Sequence, residues 1–151
     1  MVTMSKQDRD NALRALESSG SEYDEDAFRY FLAIEQARAG RSQGALPVLF
    51  ATLEPTPGKP VPIPRSSASR LFHGMRGALR DTDVMGWYEQ DHVAGAVLSS
   101  RAELAEVERA LVIEAIQQRV DENVKKHLPA KVAHSLRVRV VHLKPKEVAS
   151  A

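Results

Sequence analysis

The chain contains no cysteine. This excludes disulfides, thiolate zinc sites, iron–sulfur clusters and a cysteine nucleophile, and it agrees with a cytoplasmic location. No run of 18 apolar residues occurs, so no membrane-spanning helix is expected. The segment from Met1 to Asn11 carries charges and no apolar core, unlike a secretory signal. Strong charge of one sign is also missing: 21 Lys and Arg stand against 20 Asp and Glu, a net charge of +1. That balance argues against a nucleic-acid partner, while a local basic patch stays open. Aromatic residues make up only 5%, with Trp87 the one tryptophan; packing in the core is the default for it.

What is present is enough for one domain. The 151 residues are 43% hydrophobic and 27% charged, a soluble-globular profile rather than a disordered one. Ser5 to Ser18 reads as a short helix with Leu13 and Leu16 as anchors, ended by a Ser-Gly cluster. A second helix is expected from about Asp24 to Ala39, with Phe28, Phe31, Leu32 and Ile34 buried and Gly40 closing it. Leu46 to Leu53 is short, apolar and bounded by breakers, which predicts a central strand with Pro47 at its start. Glu54 to Pro64 holds five prolines and reads as an extended loop with no helix or strand pattern. A helix capped by Ser66 or Ser67 follows, up to Arg80, with Leu71, Met75, Ala78 and Leu79 inward.

Asp83 to Tyr88 and His92 to Ser99 read as a hairpin around Glu89-Gln90-Asp91, with Gly86 and Gly95 marking close backbone approach or a bulge. A long helix is expected from about Ala102 to His127, its apolar face running from Leu104 through Val107, Leu111, Val112, Ile116, Val120 and Val124. Leu136 to Leu143 alternates as a last strand. The fold class is thus α/β (α+β): a ferredoxin-like βαββαβ antiparallel sheet with helices on one face, preceded by N-terminal helices. The division expected is a helix and linker in 1–20, a domain in 21–145 and a loose tail in 146–151.

The element order and several local strings resemble the GGDEF domains of bacterial diguanylate cyclases. Glu35-Gln36-Ala37-Arg38-Ala39-Gly40-Arg41 before a buried strand looks like the family's first helix and strand. Arg80 and Asp83 have the spacing of the family's Arg-x-x-Asp, and the signature Gly-Gly-(Asp/Glu)-Glu-Phe falls on Glu89, Gln90, Asp91, His92 and Val93. The resemblance implies joining of two GTP molecules on divalent metal ions, which needs converging carboxylates. Here the first-strand metal aspartate falls on Thr52, with Glu54 two residues on. Glu89 and Gln90 replace the two glycines, Asp91 keeps an acid, and His92 and Val93 replace the acid and the phenylalanine. A proline-rich loop stands where the family has its nucleotide-contacting stretch.

The resemblance with these departures implies a degenerate domain: a non-catalytic signalling or interaction module with no catalytic residue, no metal and no cofactor. Its candidate ligand is cyclic di-GMP, bound through Arg80 and Asp83 as remains of the family's inhibitory site; its other candidate partners are a protein or a second copy. Arg suits such a ligand because its fork donates in parallel to phosphate oxygens. The local alternative is that Arg80 complements the helix dipole and Asp83 stabilises the following turn. A second hypothesis is a weak cyclase or nucleotide-binding enzyme using Asp91 and Glu54 with Mg2+. A third is a structural dimerisation domain built on the N-terminal helix. The five histidines (His73, His92, His127, His134, His142) lack metal-ligand spacing and read as surface or core-edge residues. Arg137 and Arg139 share one strand face near Lys125, Lys126 and Lys131; a solvated face is the default.

Overall fold

The computed structural model describes residues 22–42, 45–98 and 104–144. The order is β1 (Glu22–Tyr23), α1 (Glu25–Ser42), β2 (Leu46–Thr56), β3 (Lys59–Val61), α2 (Arg65–Ala78), β4 (Val84–Glu89), β5 (Val93–Val97), α3 (Glu106–His127), α4 (Ala130–Ala133) and β6 (Leu136–Leu143). The helix expected at Ser5 to Ser18 and the tail at 146–151 lie outside the described residues.

The sheet runs β1-β4-β5-β2, with β6 on the other side of β2 and β3 paired to the end of β2. Leu46 to Leu53 is therefore central, as its apolar run requires: Val48 to Ala51 pair with β5, and the whole stretch pairs with β6. Pro47 sits at the start of β2, where its carbonyl accepts from the Leu98 N–H at 3.2 Å and no donor is needed from it. The β2, β4, β5 and β6 pairings are antiparallel; β1 adds a short parallel pair with β4, so the whole sheet is mixed.

The period of two along β2 divides the core. Leu49, Ala51 and Leu53 point to the face covered by α2 and α3, among Leu71, Phe72, Met75, Ile116, Val120 and Val124. Leu46 and Val48 point to the opposite face, where Phe28 and Leu32 of α1 pack, with Phe50 against them. Helices thus cover both faces of the sheet and not one, because α1 has its own apolar stripe and β2 also presents Leu46, Val48 and Phe50 to it. Each large side chain so buried contributes roughly 1.5–3 kcal/mol. The two helices on the first face cross closely at Gly74: a Cβ there would lie 2.8 Å from the Val124 Cα. Asn123 Nδ2 donates to the Gly74 carbonyl at 2.6 Å and fixes the crossing.

Three local expectations are corrected. The proline-rich segment is not a plain loop: β2 continues to Thr56, turns at Pro57-Gly58 with Gly58 at φ 81, and returns as β3. A positive φ after proline is the type II turn pattern, and Pro60 is tolerated on so short a strand. The helix α2 starts at Arg65 after Pro64, with no side-chain cap, so Ser66 and Ser67 lie inside its first turn. The long helix starts at Glu106, and its early residues Val107 and Leu111 are exposed; the buried stripe is Ile113, Ile116, Val120 and Val124. The first two turns of α3 lie beyond the part of the helix that packs on the sheet. Trp87 is buried and meets Phe72 edge-on, with ring centroids 5.0 Å apart.

Candidate functional site

The signature positions occupy the turn between β4 and β5. Trp87 pairs with Ala94 and Glu89 with Val93, so Tyr88 is the extra residue of a β-bulge. The His92 N–H donates to the Glu89 carbonyl at 3.0 Å and closes a four-residue turn. Asp91, third in that turn, has φ 64. Asp tolerates this left-handed conformation better than most non-glycine residues. Glu89, Gln90 and Asp91 are exposed, and His92 and Val93 half-buried. The His92 Nδ1 lies 2.9 Å from the Gln90 carbonyl oxygen, so this nitrogen carries the proton.

The turn is held from two sides. On one, the Gln90 N–H donates to Glu25 Oε1 at 2.6 Å, and the Glu25 N–H donates to Gln90 Oε1 at 3.2 Å. One turn further along α1, Arg29 Nε donates to the carbonyl that the bulge leaves at Tyr88, at 2.7 Å. The Arg29 guanidinium also stacks 4.3 Å from the Tyr88 ring centroid. On the other side, the Ile63 N–H of the proline-rich segment donates to the Asp91 carbonyl at 2.7 Å. Where the family resemblance implied two glycines open to a nucleotide, Glu89 and Gln90 carry side chains, and α1 grips the second of them.

Thr52 and Glu54 follow one another on the same face of β2, both buried; Glu54 is 1% exposed. A bulge sets Glu54 and Pro55 of β2 against Pro60 of β3. The Glu54 carboxylate receives four donors. Thr52 Oγ1 and Arg139 Nη1 (2.7 Å) donate to Oε2; Arg139 Nη2 (2.9 Å) and the Gly58 N–H (2.9 Å) donate to Oε1. The Arg139 hydrogen bonds and then that of Thr52, with the Gly58 N–H adding to them, hold the carboxyl down to about 2 against the opposing effect of burial. The same pairing raises the Arg139 pKa. Four donors match the lone-pair directions of a carboxylate, so none is left for a cation.

Arg80 and Asp83 lie together in the turn after α2. The Arg80 N–H donates to Asp83 Oδ2 at 2.9 Å, and the Asp83 N–H donates to the Arg80 carbonyl at 2.9 Å. Arg76 Nη1 reaches the Arg80 carbonyl at 3.3 Å. Asp83 is buried, at 1% exposure, while the Arg80 side chain is exposed. The pair therefore shares a turn through its backbone: the carboxylate is turned inward and the guanidinium outward.

Among the described residues no three His, Asp or Glu side chains converge as a metal set. His73, inside α2, and His127, the last residue of α3, meet edge-on, with ring centroids 4.8 Å apart. No described helix is long and apolar enough to cross a membrane. What sequence reasoning missed is the role of Arg139, which it read as part of a solvated strand face and which instead pairs with Glu54. The signal for it lay in the alternation of β6, which places Arg137 and Arg139 on one face, but its partner is 85 positions away.

No family model matches the chain, and no curated protein matches it by sequence. Solved structures do match. One is a DGC protein from Thermotoga maritima, at TM-score 0.52 and 14% identity over 85% of this chain and 86% of that one. Another is the isolated GGDEF domain of TpbB (YfiN) from Pseudomonas aeruginosa, at TM-score 0.52 and 17% identity over 82% of this chain and 72% of that one. At such identities the likeness is one of architecture, and it agrees with the order of elements and the pairing of strands described above: the chain has the fold of the GGDEF diguanylate cyclase domains.

Proposed function

We propose that the protein is a non-catalytic GGDEF-like module that works by interaction and not by joining nucleotides. The observation that carries this reading is the saturation of Glu54 by Thr52, Arg139 and Gly58. Cyclase chemistry needs carboxylates free to hold metal ions against phosphate charge. At this end of β2 the position that resemblance assigns to such an acid is Thr52, and the neighbouring acid is closed by an internal guanidinium. The occupied turn supports the same reading, since Gln90 is tied to Glu25 where a nucleotide would need open backbone.

Cyclic di-GMP is the small molecule to test as a regulator. The exposed Arg80 guanidinium suits phosphate or a guanine edge, whereas the Asp83 carboxylate is engaged in its own turn. Calorimetric titration of the protein with cyclic di-GMP, then with GTP and Mg2+, separates the readings. Binding of cyclic di-GMP lost in Arg80→Ala makes the module a sensor. GTP binding that depends on Mg2+ and on Asp91 overturns the non-catalytic reading.

A further inference from the structure

We propose that the outer edge of β6 accepts an acidic, extended segment of a partner protein as an added strand. The inference stands on this edge alone and does not depend on catalytic silence. Among the described residues β6 pairs with β2 and with no other strand. The register fixes which backbone groups face outward. The Glu54 N–H donates to the Ser135 carbonyl at 2.7 Å. In an antiparallel ladder the bonded pairs then recur at Thr52–Arg137, Phe50–Arg139, Val48–Val141 and Leu46–Leu143. The N–H and C=O of Val138, Val140 and His142 therefore point away from β2, along the free edge. Two carbonyls on that edge are already met by side chains: Gln117 Nε2 of α3 donates to the Val138 carbonyl at 3.0 Å and Arg137 Nη1 to the Leu136 carbonyl at 2.9 Å. The ladder groups offered to an added strand are thus the Val138 N–H and both groups of Val140 and His142.

Charge selects the occupant. Between positions 125 and 144 stand Lys125, Lys126, Lys131, Arg137, Arg139 and Lys144, with no Asp or Glu. The chain as a whole is nearly neutral, so this segment carries a local excess of positive charge, in which Lys125 is paired with Asp121 and Arg139 with Glu54. Arg137 and Arg139 lie on one face of β6, about 7 Å apart along the strand. That is the spacing of alternate residues on an added strand. An acidic residue at every second position would meet the arginines while its backbone takes the ladder groups. Arg139 keeps Glu54, yet its side chain is 54% exposed and can be approached from outside. A second copy fits poorly, because two β6 edges side by side would oppose their arginine rows. Nucleic acid lacks aromatic side chains for base stacking along this strand.

The test uses the full chain and a labelled synthetic peptide of β6's length, 8 residues, alternating glutamate with valine. Fluorescence anisotropy should show saturable binding. The lysine–valine counterpart should not bind. Methylating the peptide backbone nitrogens at alternate residues, which removes ladder donors and leaves charge intact, should weaken binding about tenfold or more. Arg137→Glu should weaken the glutamate peptide by a similar factor and admit the lysine peptide. His142→Pro, at an exposed position whose N–H faces outward, should also weaken it; the methylated peptide gives the same information without altering the protein. The proposal is overturned if neither peptide binds, in which case the arginines only block the edge. It is overturned too if methylation or Arg137→Glu has no effect, or if sedimentation shows a homodimer that His142→Pro dissolves. Tighter binding of oligothymidylate than of the peptide, lost in Arg137→Glu, would assign the edge to nucleic acid instead.

Discussion

Arg139, on the outer strand β6, holds both carboxylate oxygens of Glu54, at the end of the central strand β2, at 2.7 and 2.9 Å. The pair is asymmetric: Glu54 is 1% exposed and Arg139 54%. Removing the guanidinium leaves a buried carboxylate with only Thr52 and Gly58 as donors. Arg139→Ala should cost about 2 kcal/mol in urea unfolding, below the full penalty for breaking a buried pair because water reaches the Arg139 side. Loss of less than about 0.5 kcal/mol would place the pair among ordinary surface ion pairs.

The pH dependence follows from the depressed pKa of Glu54. Its folded value of about 2 lies below the ordinary glutamate value of 4.5 that holds in the unfolded chain. The stabilisation is thus complete above about pH 4.5 and is lost as pH falls towards 2, because the unfolded state takes up the proton first. Its size is roughly 1–3 kcal/mol. Unfolding curves between pH 6 and 2 should show this acid limb in the wild type, and a smaller one in Glu54→Gln.

Close backbone approach makes Gly86 sensitive. A Cβ there would stand 2.5 Å from the Tyr23 carbonyl oxygen, which belongs to the paired backbone of β1 and cannot swing aside. Gly86→Ala should cost about 1–3 kcal/mol, and hydrogen exchange should report loosening of Tyr23 and of the start of α1. An unchanged midpoint would mean that β1 is not held in this register.

At Arg80 and Asp83 the two substitutions should separate. Asp83→Ala removes a buried acceptor for the Arg80 N–H and should lower stability by about 1–2 kcal/mol. Arg80→Ala acts on an exposed side chain and should stay within about 0.5 kcal/mol. Thermal melts decide this, and cyclic di-GMP titration of the same two variants decides whether the exposed guanidinium has a ligand.

Much of the fold was legible because its signals are local. The apolar run from Leu46 to Leu53 and the alternation from Leu136 to Leu143 each carry a strand in their own pattern, and Gly86 and Gly95 announce the close contacts with Tyr23 and Phe28. The β3 return was hidden because prolines mask alternation, so only the Pro57-Gly58 pair hinted at its turn. Exposure of Val107 and Leu111 could not be read from a helical period that runs past the sheet. The site was legible only in part. Resemblance marked Thr52 and the turn from Glu89 to Val93, whereas the Glu54–Arg139 pair and the Glu25–Gln90 clasp join residues far apart in sequence and depend on strand register. No property of either partner alone announces such a contact.

The central claim is that this end of the sheet does not join nucleotides. The most direct measurement is turnover: purified protein incubated with GTP and either Mg2+ or Mn2+, with products resolved by chromatography. The account predicts no cyclic di-GMP above background, because Thr52 offers no charge and Glu54 has no free lone pair. Formation of cyclic di-GMP that disappears in Asp91→Ala would contradict it.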